Sequence, residues 1–273
     1  MHGANNGNIA EFRVPSFKGV LRYFWRTLQE ETNPEKLLEK EEGLFGGTMT
    51  NEKRKSPLSI YLPELIQAKQ HTDILPHKNS KSKVPAVPVN QDLTVKVRVQ
   101  KKNEDLMNKY ELYMNYLFHI AGFGQRSRRG FGSIQWMEHK WQSVTDYANS
   151  LKQVLQDLEM EELYFVYNES PHLLQRRGDV RTPHPILNSI WIGEGRPSYQ
   201  EVLKAIGYAS HFGNRNGTLG SMKPRKASPL LVTVRKIGDL YYPIISEVKT
   251  KEKYNQPYEM NRRRFLQELG VMI

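Results

Sequence analysis

Residues 122–132 read G-F-G-Q-R-S-R-R-G-F-G, and this glycine-arginine loop organises the predictions for the whole chain. Its four glycines let the backbone adopt positive φ angles and approach a ligand closely. Its three arginines supply planar guanidinium groups whose paired donors fit phosphate oxygens. No acidic residue interrupts the loop. The pattern predicts a cradle for phosphate groups, and the alternative is a solvated basic turn of similar composition.

The charge balance favours a nucleic-acid partner. The 273 residues include 40 Lys or Arg and 29 Asp or Glu, which gives a formal net charge of +11 at pH 7 and an isoelectric point near 9.6. The charge is segregated, because residues 30–42 are rich in Glu whereas residues 211–238 contain neither Asp nor Glu. A segregated positive charge favours a binding surface for a polyanion over simple solubility.

Composition also excludes several classes of protein. The chain has no cysteine, so disulfides, thiolate zinc sites and a cysteine nucleophile are excluded. It has no apolar run of membrane-spanning length and no signal-peptide core, which predicts a cytoplasmic protein. A nucleotide-cofactor site needs a strand before the loop and a helix after it, and the order predicted here is the reverse.

The first half of the chain is predicted to hold a ferredoxin-like unit. Ser16 is the expected N-cap of a first helix, on which Lys18, Arg22 and Arg26 form a basic stripe beside an apolar face. Gly19 inside this helix suggests that something approaches its backbone closely. The elements expected next are an acidic helix at 33–43, strands at 58–62 and 93–100, a loop at 76–88, a helix at 104–121 and, after the glycine-arginine loop, a strand at 134–136. This order is β-α-β-β-α-β without its first strand.

The second half is predicted to repeat the same kind of unit. The pattern predicts a helix at 144–158, strands at 163–167 and 186–192, a loop that carries Arg176 and Arg177, a helix capped by Ser198 and Glu201, a basic loop at 211–228, strands at 230–235 and 240–246, and a final basic helix. The fold class is therefore α+β, with two ferredoxin-like (RRM-like) domains at residues 1–141 and 142–273.

Four motifs together resemble one protein family. They are R-V-P-S-F-K-G-V-L-R-Y-F-W-R (13–26), L-F-G-G (44–47), G-F-G-Q-R-S-R-R-G-F-G-S (122–133) and R-K-A-S-P-L (225–230). Their combination resembles the RAMP proteins of CRISPR systems, and most of all the first-numbered RAMP subunit of the type III-B, or Cmr, effector complex. In such proteins a strand usually precedes the Gly-Ala of the opening loop. This chain begins Met1-His2-Gly3-Ala4, so an open sheet edge is expected.

The resemblance implies a non-catalytic, RNA-binding subunit with two ferredoxin-like domains. Such a subunit would lie near the 3′ end of the guide RNA and hold guide and target RNA in antiviral defence. It would contact the other RAMP subunit at that end, and neither a cofactor nor a metal ion is implied.

The helix stripe and the glycine-arginine loop are expected to line one groove for the RNA backbone, with aromatic rings stacking on bases. Trp25 and Phe131 fit core packing equally well, and the loop around Lys223 fits a solvated surface equally well. The residues expected to contact RNA are Arg13, Lys18, Arg22, Tyr23, Trp25, Arg26, Gly122, Gly124, Gln125, Arg126, Ser127, Arg128, Arg129, Gly130, Phe131, Lys223, Arg225 and Lys226.

Two alternative functions stay open from the sequence. The first is a metal-independent endoribonuclease that processes guide RNA, for which His119 is the best placed general acid or base. A lone histidine near the buried side of a helix is more often a packing residue, and no Asp/Glu pair lies beside the basic motifs. The second alternative is an assembly subunit with mainly protein contacts, whose RNA affinity would depend only weakly on salt.

Overall fold

The fold is that of a computed structural model, which describes residues 9–49, 53–78, 83–167, 172–214, 216–252 and 254–272. From the sequence, the first strand of the first unit is expected to be missing at the Met1–Ala4 opening. This prediction concerns residues outside the described ranges. The protein is a mixed α+β structure of helices and small antiparallel sheets around one larger sheet, which confirms the predicted fold class.

The first half of the chain contains three helices and short strands. In order, they are β1 (Ala10–Glu11), α1 (Val14–Arg26), α2 (Pro34–Phe45), β2 (Leu58–Tyr61), β3 (Gln67–Ala68), β4 (His71–Asp73), β5 (Lys83–Pro85), β6 (Lys96–Val99) and α3 (Leu106–Ile120). β2 pairs with β6, β1 with β3 and β4 with β5, all antiparallel. The run α1, β2, β6, α3 therefore keeps the central α-β-β-α part of the predicted unit.

Several predicted boundaries of this half were wrong. α1 begins at Val14 with Arg13 as its N-cap, because Pro15 fits the first helical turn and needs no N–H partner there, so Ser16 lies inside the helix. α2 continues past Gly43 to Phe45. The expected surface loop at 76–88 includes strand β5, and the strand expected at 93–100 forms only over Lys96–Val99.

The strand expected at 134–136 does not form, although the segment follows the outer edge of the large sheet. Gly130 donates its N–H to the carbonyl of Val232 at 2.8 Å. The Gln135 side chain then bonds both backbone groups of Lys236, at 3.1 and 3.0 Å. The Gln135 side-chain amide thus forms the hydrogen bonds that the backbone of a neighbouring strand would form. The edge of the sheet is covered, although no strand is added.

The second half of the chain forms the large sheet and its helices. Its elements are α4 (Val144–Asp157), β7 (Tyr164–Val166), β8 (His172–Arg176), β9 (Ile186–Ile192), α5 (Tyr199–Phe212), β10 (Ser221–Met222), β11 (Arg225–Lys226), β12 (Leu230–Ile237), β13 (Leu240–Lys249) and α6 (Gln256–Glu268). The strand order of the sheet is β12-β13-β9-β8-β7, with every pair antiparallel.

Five of the six elements of a ferredoxin-like unit occur in sequence within this half. They are β9, α5, β12, β13 and α6, and the upstream strand β8 pairs with the free side of β9. The sequence analysis predicted a loop with Arg176 and Arg177 where β8 lies. Arg176 is buried in β8 and pairs with Glu30, a partner 146 residues away that no local pattern indicates.

The sheet is buried on both faces. All seven residues of β9 are buried, as expected for a strand covered by helices above and below. One face shares a buried cluster with α1, α3 and α4, which includes Phe17, Leu117, Leu151, Leu174 and Ile244. The other face packs on α5 and α6. The first cluster contains residues from both sides of the predicted boundary at 141/142. The two halves therefore share one core, and their division into two domains stays a proposal.

A fully buried arginine joins α3 to the sheet. Arg235 of β12 donates to the carbonyls of His119 and Ala121, at 3.1 and 2.8 Å. These carbonyls end α3, where the helix dipole favours a positive charge. Burial lowers the pKa of Arg235 to about 10, so it stays charged at neutral pH.

Two histidines lie next to this arginine in the core. His119 is fully buried and its nitrogens lie 2.8 Å from the carbonyl of Asn115 and 2.9 Å from Ser150 Oγ. Burial, with His139 and Arg235 nearby, lowers the pKa of His119 to about 3. Burial and Arg235 lower the pKa of His139 to about 4. Both imidazoles are therefore neutral in the folded protein.

We predict that the free energy of unfolding falls as the pH decreases from 7 towards 4. The unfolded chain gains a proton on each histidine below about pH 6.5 while the folded protein does not, so each contributes a slope of up to about 1.4 kcal/mol per pH unit. Urea denaturation across this pH range measures the slope. His119→Gln should make the slope shallower than that of wild type. Identical slopes for wild type and His119→Gln would contradict the prediction.

Candidate nucleic-acid interface

The glycine-arginine loop is a tight turn packed against the second half of the chain. Gly122 is buried and forms a bridge with Ser133, which closes the loop at its base. Gly130 has φ +84°, and a Cβ there would lie 2.7 Å from Leu203 Cδ2 of α5. Glycine at 130 is therefore needed for packing against α5, and its N–H is already bonded to β12. Gly122 and Gly130, both predicted to contact RNA, are buried in the structure.

Two of the three loop arginines point into the protein. Arg129 donates to the carbonyls of Leu230 and Leu219 at 3.0 and 3.2 Å, and burial lowers its pKa to about 10. Arg128 donates to the carbonyl of Ser228 at 2.6 Å and lies over the Tyr23 ring at 5.4 Å. These guanidinium groups attach the loop to the start of β12. For Arg129 this corrects the prediction of a phosphate contact.

Arg126 is the loop arginine that faces outward. It is exposed and has a left-handed backbone conformation, with φ +58°. Its guanidinium donates to the carbonyl of Ile74 at 2.6 Å, which fixes the side chain beside the turn after β4. Gln125 beside it is exposed, and Gly124, Ser127 and Phe131 are half-buried. The outer part of the loop is thus the part available to a ligand.

The predicted basic stripe of α1 is partly paired with α2. Arg22 Nε lies 2.5 Å from Glu41 Oε1, and Arg26 forms two hydrogen bonds with the same buried carboxylate. Lys18 bonds Ser56 Oγ, and burial with the nearby Arg22 lowers its pKa. One carboxylate of the acidic helix therefore holds two of the three cations that were expected to line the RNA groove. Arg13 stays partly exposed near Glu11.

The aromatic residues that were predicted to contact RNA also differ in their exposure. Trp25 is 2% exposed and packs edge-on against Phe45, so the prediction that it stacks on a base was wrong. Tyr23 is half-buried under Arg128. Gly19 is exposed, and no atom of the described residues lies within 4 Å of a Cβ built there, so protein packing does not explain this glycine.

The second predicted basic segment forms a hairpin of its own. β10 and β11 pair antiparallel, and Lys223, Arg225 and Lys226 are all exposed. The hairpin leads into Ser228, whose carbonyl accepts from Arg128. One hydrogen bond thus connects the base of this hairpin to the glycine-arginine loop, and the two basic segments lie side by side.

An aromatic patch beside Arg126 is absent from the sequence predictions. It consists of His77, which follows β4, and of Tyr208, His211 and Phe212 on the outer side of α5. The four-residue spacing of Tyr208 and Phe212 places both rings on one face of the helix. Their position close to the glycine-arginine loop, however, depends on contacts between segments that are distant in the sequence. Within the described ranges there is neither a group of three or more His, Asp or Glu arranged as metal ligands nor a helix suited to cross a membrane.

Comparisons with known proteins agree with the resemblance given by the four motifs. The family model of the RAMP superfamily matches residues 1–135. The structure is similar to the crystal structure of Cmr1 from Pyrococcus furiosus in its apo form, with a TM-score of 0.57 and 17% sequence identity, over 94% of this chain and 86% of that chain. At this identity the likeness shows a shared fold. No curated protein matches the chain.

We predict that Arg129→Ala lowers the free energy of unfolding by about 2–4 kcal/mol, because it leaves the carbonyls of Arg128, Leu219 and Leu230 without their charged donor. Arg126→Ala is the matched control, since it removes the same side chain at an exposed position and should cost less than about 1 kcal/mol. Urea denaturation of the two variants tests the difference. Similar, small losses for both would contradict the internal role of Arg129.

Proposed function

Because the family model of the RAMP superfamily matches residues 1–135, we propose that the protein is a non-catalytic, RNA-binding subunit of a type III-B CRISPR effector complex. It holds the 3′ part of the guide RNA and its target RNA in antiviral defence. Its proposed partners are these RNAs and neighbouring RAMP subunits, above all the one at the 3′ end of the guide. A cytoplasmic location is part of the same proposal.

The observation that carries this proposal is the outward basic surface formed by Arg126 and the β10–β11 hairpin. Arg126 and the three hairpin cations are exposed, and the hairpin cations have no ion pair within the described residues. Arg22, Arg26 and Arg176, by contrast, are paired with carboxylates. Unpaired cations gathered on one surface attract a phosphate backbone and read charge and shape more than sequence.

The environment of His119 favours binding over RNA cleavage. A general acid or base must come within about 3 Å of the proton that it transfers. His119 is completely buried, and Asn115 and Ser150 lie at hydrogen-bonding distance from its two nitrogens. The lowered pKa keeps it from acting as an acid near neutral pH. The endoribonuclease alternative therefore loses its best candidate residue.

We predict that replacing Arg126, Lys223, Arg225 and Lys226 together by Ala weakens binding to a labelled single-stranded RNA by at least about tenfold at low salt. It should also flatten the dependence of log affinity on log salt by about 0.7 for each phosphate contact that is lost. A fluorescence-anisotropy titration across a salt series measures both quantities.

A matched control removes four exposed lysines elsewhere, at positions 102, 109, 140 and 152. It carries the same charge change and should keep the affinity within about threefold and the salt slope within about 0.7 of wild type, the value of a single contact. The RNA should remain uncut by any of the three proteins, with or without a chelator. Equal losses in the two variants would mean that only overall charge matters. Unchanged binding in both would favour an assembly subunit, and cleavage would favour the nuclease.

A further inference from the structure

The outer side of α5 carries aromatic rings that the protein core does not use. Tyr208 is 38% exposed and Phe212 is 51% exposed, and their rings stack at 6.1 Å and 17°. The inner side of the helix is filled by Val202, Ile206 and Ala209. Two large rings held together on a polar surface do not add to the core, and such exposed apolar patches often mark binding sites.

Histidine rings extend this pair into a continuous patch. His77 packs against Tyr208 and His211, with ring centroids 5.9 and 6.0 Å apart, and His211 meets the Phe212 ring edge-on at 5.2 Å. A Cβ on Gly207 would lie 2.3 Å from His77 Nδ1. Glycine at this helical position therefore lets the turn that carries His77 pack directly onto α5.

The patch lies in a positively charged setting. Lys204 is exposed one helical turn before Tyr208, and Lys78 is exposed next to His77. Arg126 is bonded to the carbonyl of Ile74, three residues before His77. One carboxylate, that of Asp73, lies near His77 and Arg126 and accepts the backbone N–H of Leu75 at 2.8 Å. Three cations around one carboxylate give a surface that complements phosphate groups.

The patch and the glycine-arginine loop form one continuous surface. Gly130 packs against Leu203 and Ile206 of α5, so the loop and the helix are held together. Arg126, on the outer part of that loop, borders the aromatic rings. Arg126 lies close enough to His77 for its charge to act on that ring, so an RNA strand with a phosphate at Arg126 would have its neighbouring bases within reach of the rings on α5.

We propose that His77, Tyr208, His211 and Phe212 form a base-stacking platform for single-stranded RNA, with Arg126 at the adjoining phosphate. The inference rests on the proposed function, since it names where the bases of the bound RNA lie. Exposed aromatic faces beside cations are the features by which proteins hold unpaired bases. A protein partner with an apolar surface would cover the rings but would gain nothing from the surrounding positive charge.

The test compares Tyr208→Ser/Phe212→Ser with Phe165→Ser/Tyr167→Ser. The control rings are similarly exposed, at 47% and 42%. They lie on or next to β7, the edge strand opposite β12, whereas the glycine-arginine loop beside the patch lies at the β12 edge. We expect the α5 variant to bind oligouridine at least about tenfold more weakly than wild type at every salt concentration, with an unchanged salt slope, because stacking does not depend on counterion release. The control should bind like wild type.

An oligomer of the same length in which abasic residues replace the nucleotides separates stacking from charge. Wild type and the α5 variant should bind this oligomer equally, since it offers phosphates without bases. The inference is overturned if the α5 variant loses the same affinity for both oligomers, or if it binds oligouridine like wild type, as a protein-contact patch would. In the second case, a loss of affinity in the Arg126 and hairpin variant would still support the proposed function. If wild type does not bind RNA, both proposals fail.

Discussion

The outer edge of β12 is the constraint on which the rest of the structure depends. An uncovered edge strand exposes a row of unpaired backbone groups and invites aggregation. Here Gly130 donates its backbone N–H to β12, and the Ser133 and Gln135 side chains bond alternate residues of the strand. From the same strand Arg235 reaches inward to the end of α3. This strand thus adds polar contacts between the two halves to the core that they share, and the glycine-arginine loop is where the segment along its edge begins.

This role explains why the loop divides into an inner and an outer part. A loop rich in glycine and arginine has the composition of a phosphate cradle, but the same composition suits a turn that must approach a neighbouring helix and bond its backbone carbonyls. Arg129 and Gly130 serve the second purpose, because their donors are bonded within the protein. Arg126 lies at the outer end with a left-handed backbone and an exposed side chain. Only this outer end of the loop leaves a guanidinium group exposed for a phosphate, as the sequence pattern suggested.

Local sequence patterns correctly predicted the helices whose formation depends on residues close together in the sequence. α3 and α4 appear close to where the apolar periodicity placed them, and the Ser143–Asp146 capping box fixes the start of α4. The errors concern features that depend on distant partners. Glu41 of another helix pairs with two arginines of the α1 stripe, and the Gln135 side chain takes the place of a strand by bonding a residue 101 positions later. Periodicity and capping depend on neighbouring residues and carry no information about such distant pairs. The sequence therefore could not show that the Trp25 ring is buried whereas the Phe212 ring is exposed.

The proposed RNA surface also limits how independent the two halves of the chain can be. Arg126 and His77 come from the first half, whereas Tyr208, Phe212 and the β10–β11 hairpin come from the second. The second half supplies most of the rings and the hairpin cations, and the first half completes the surface with Arg126 and His77. Since the hydrogen bonds of Arg128 and Arg129 cross between the halves, they hold the loop beside α5 and the hairpin. The internal arginines therefore act on RNA binding indirectly, by fixing the relative position of the outer groups that contact the ligand.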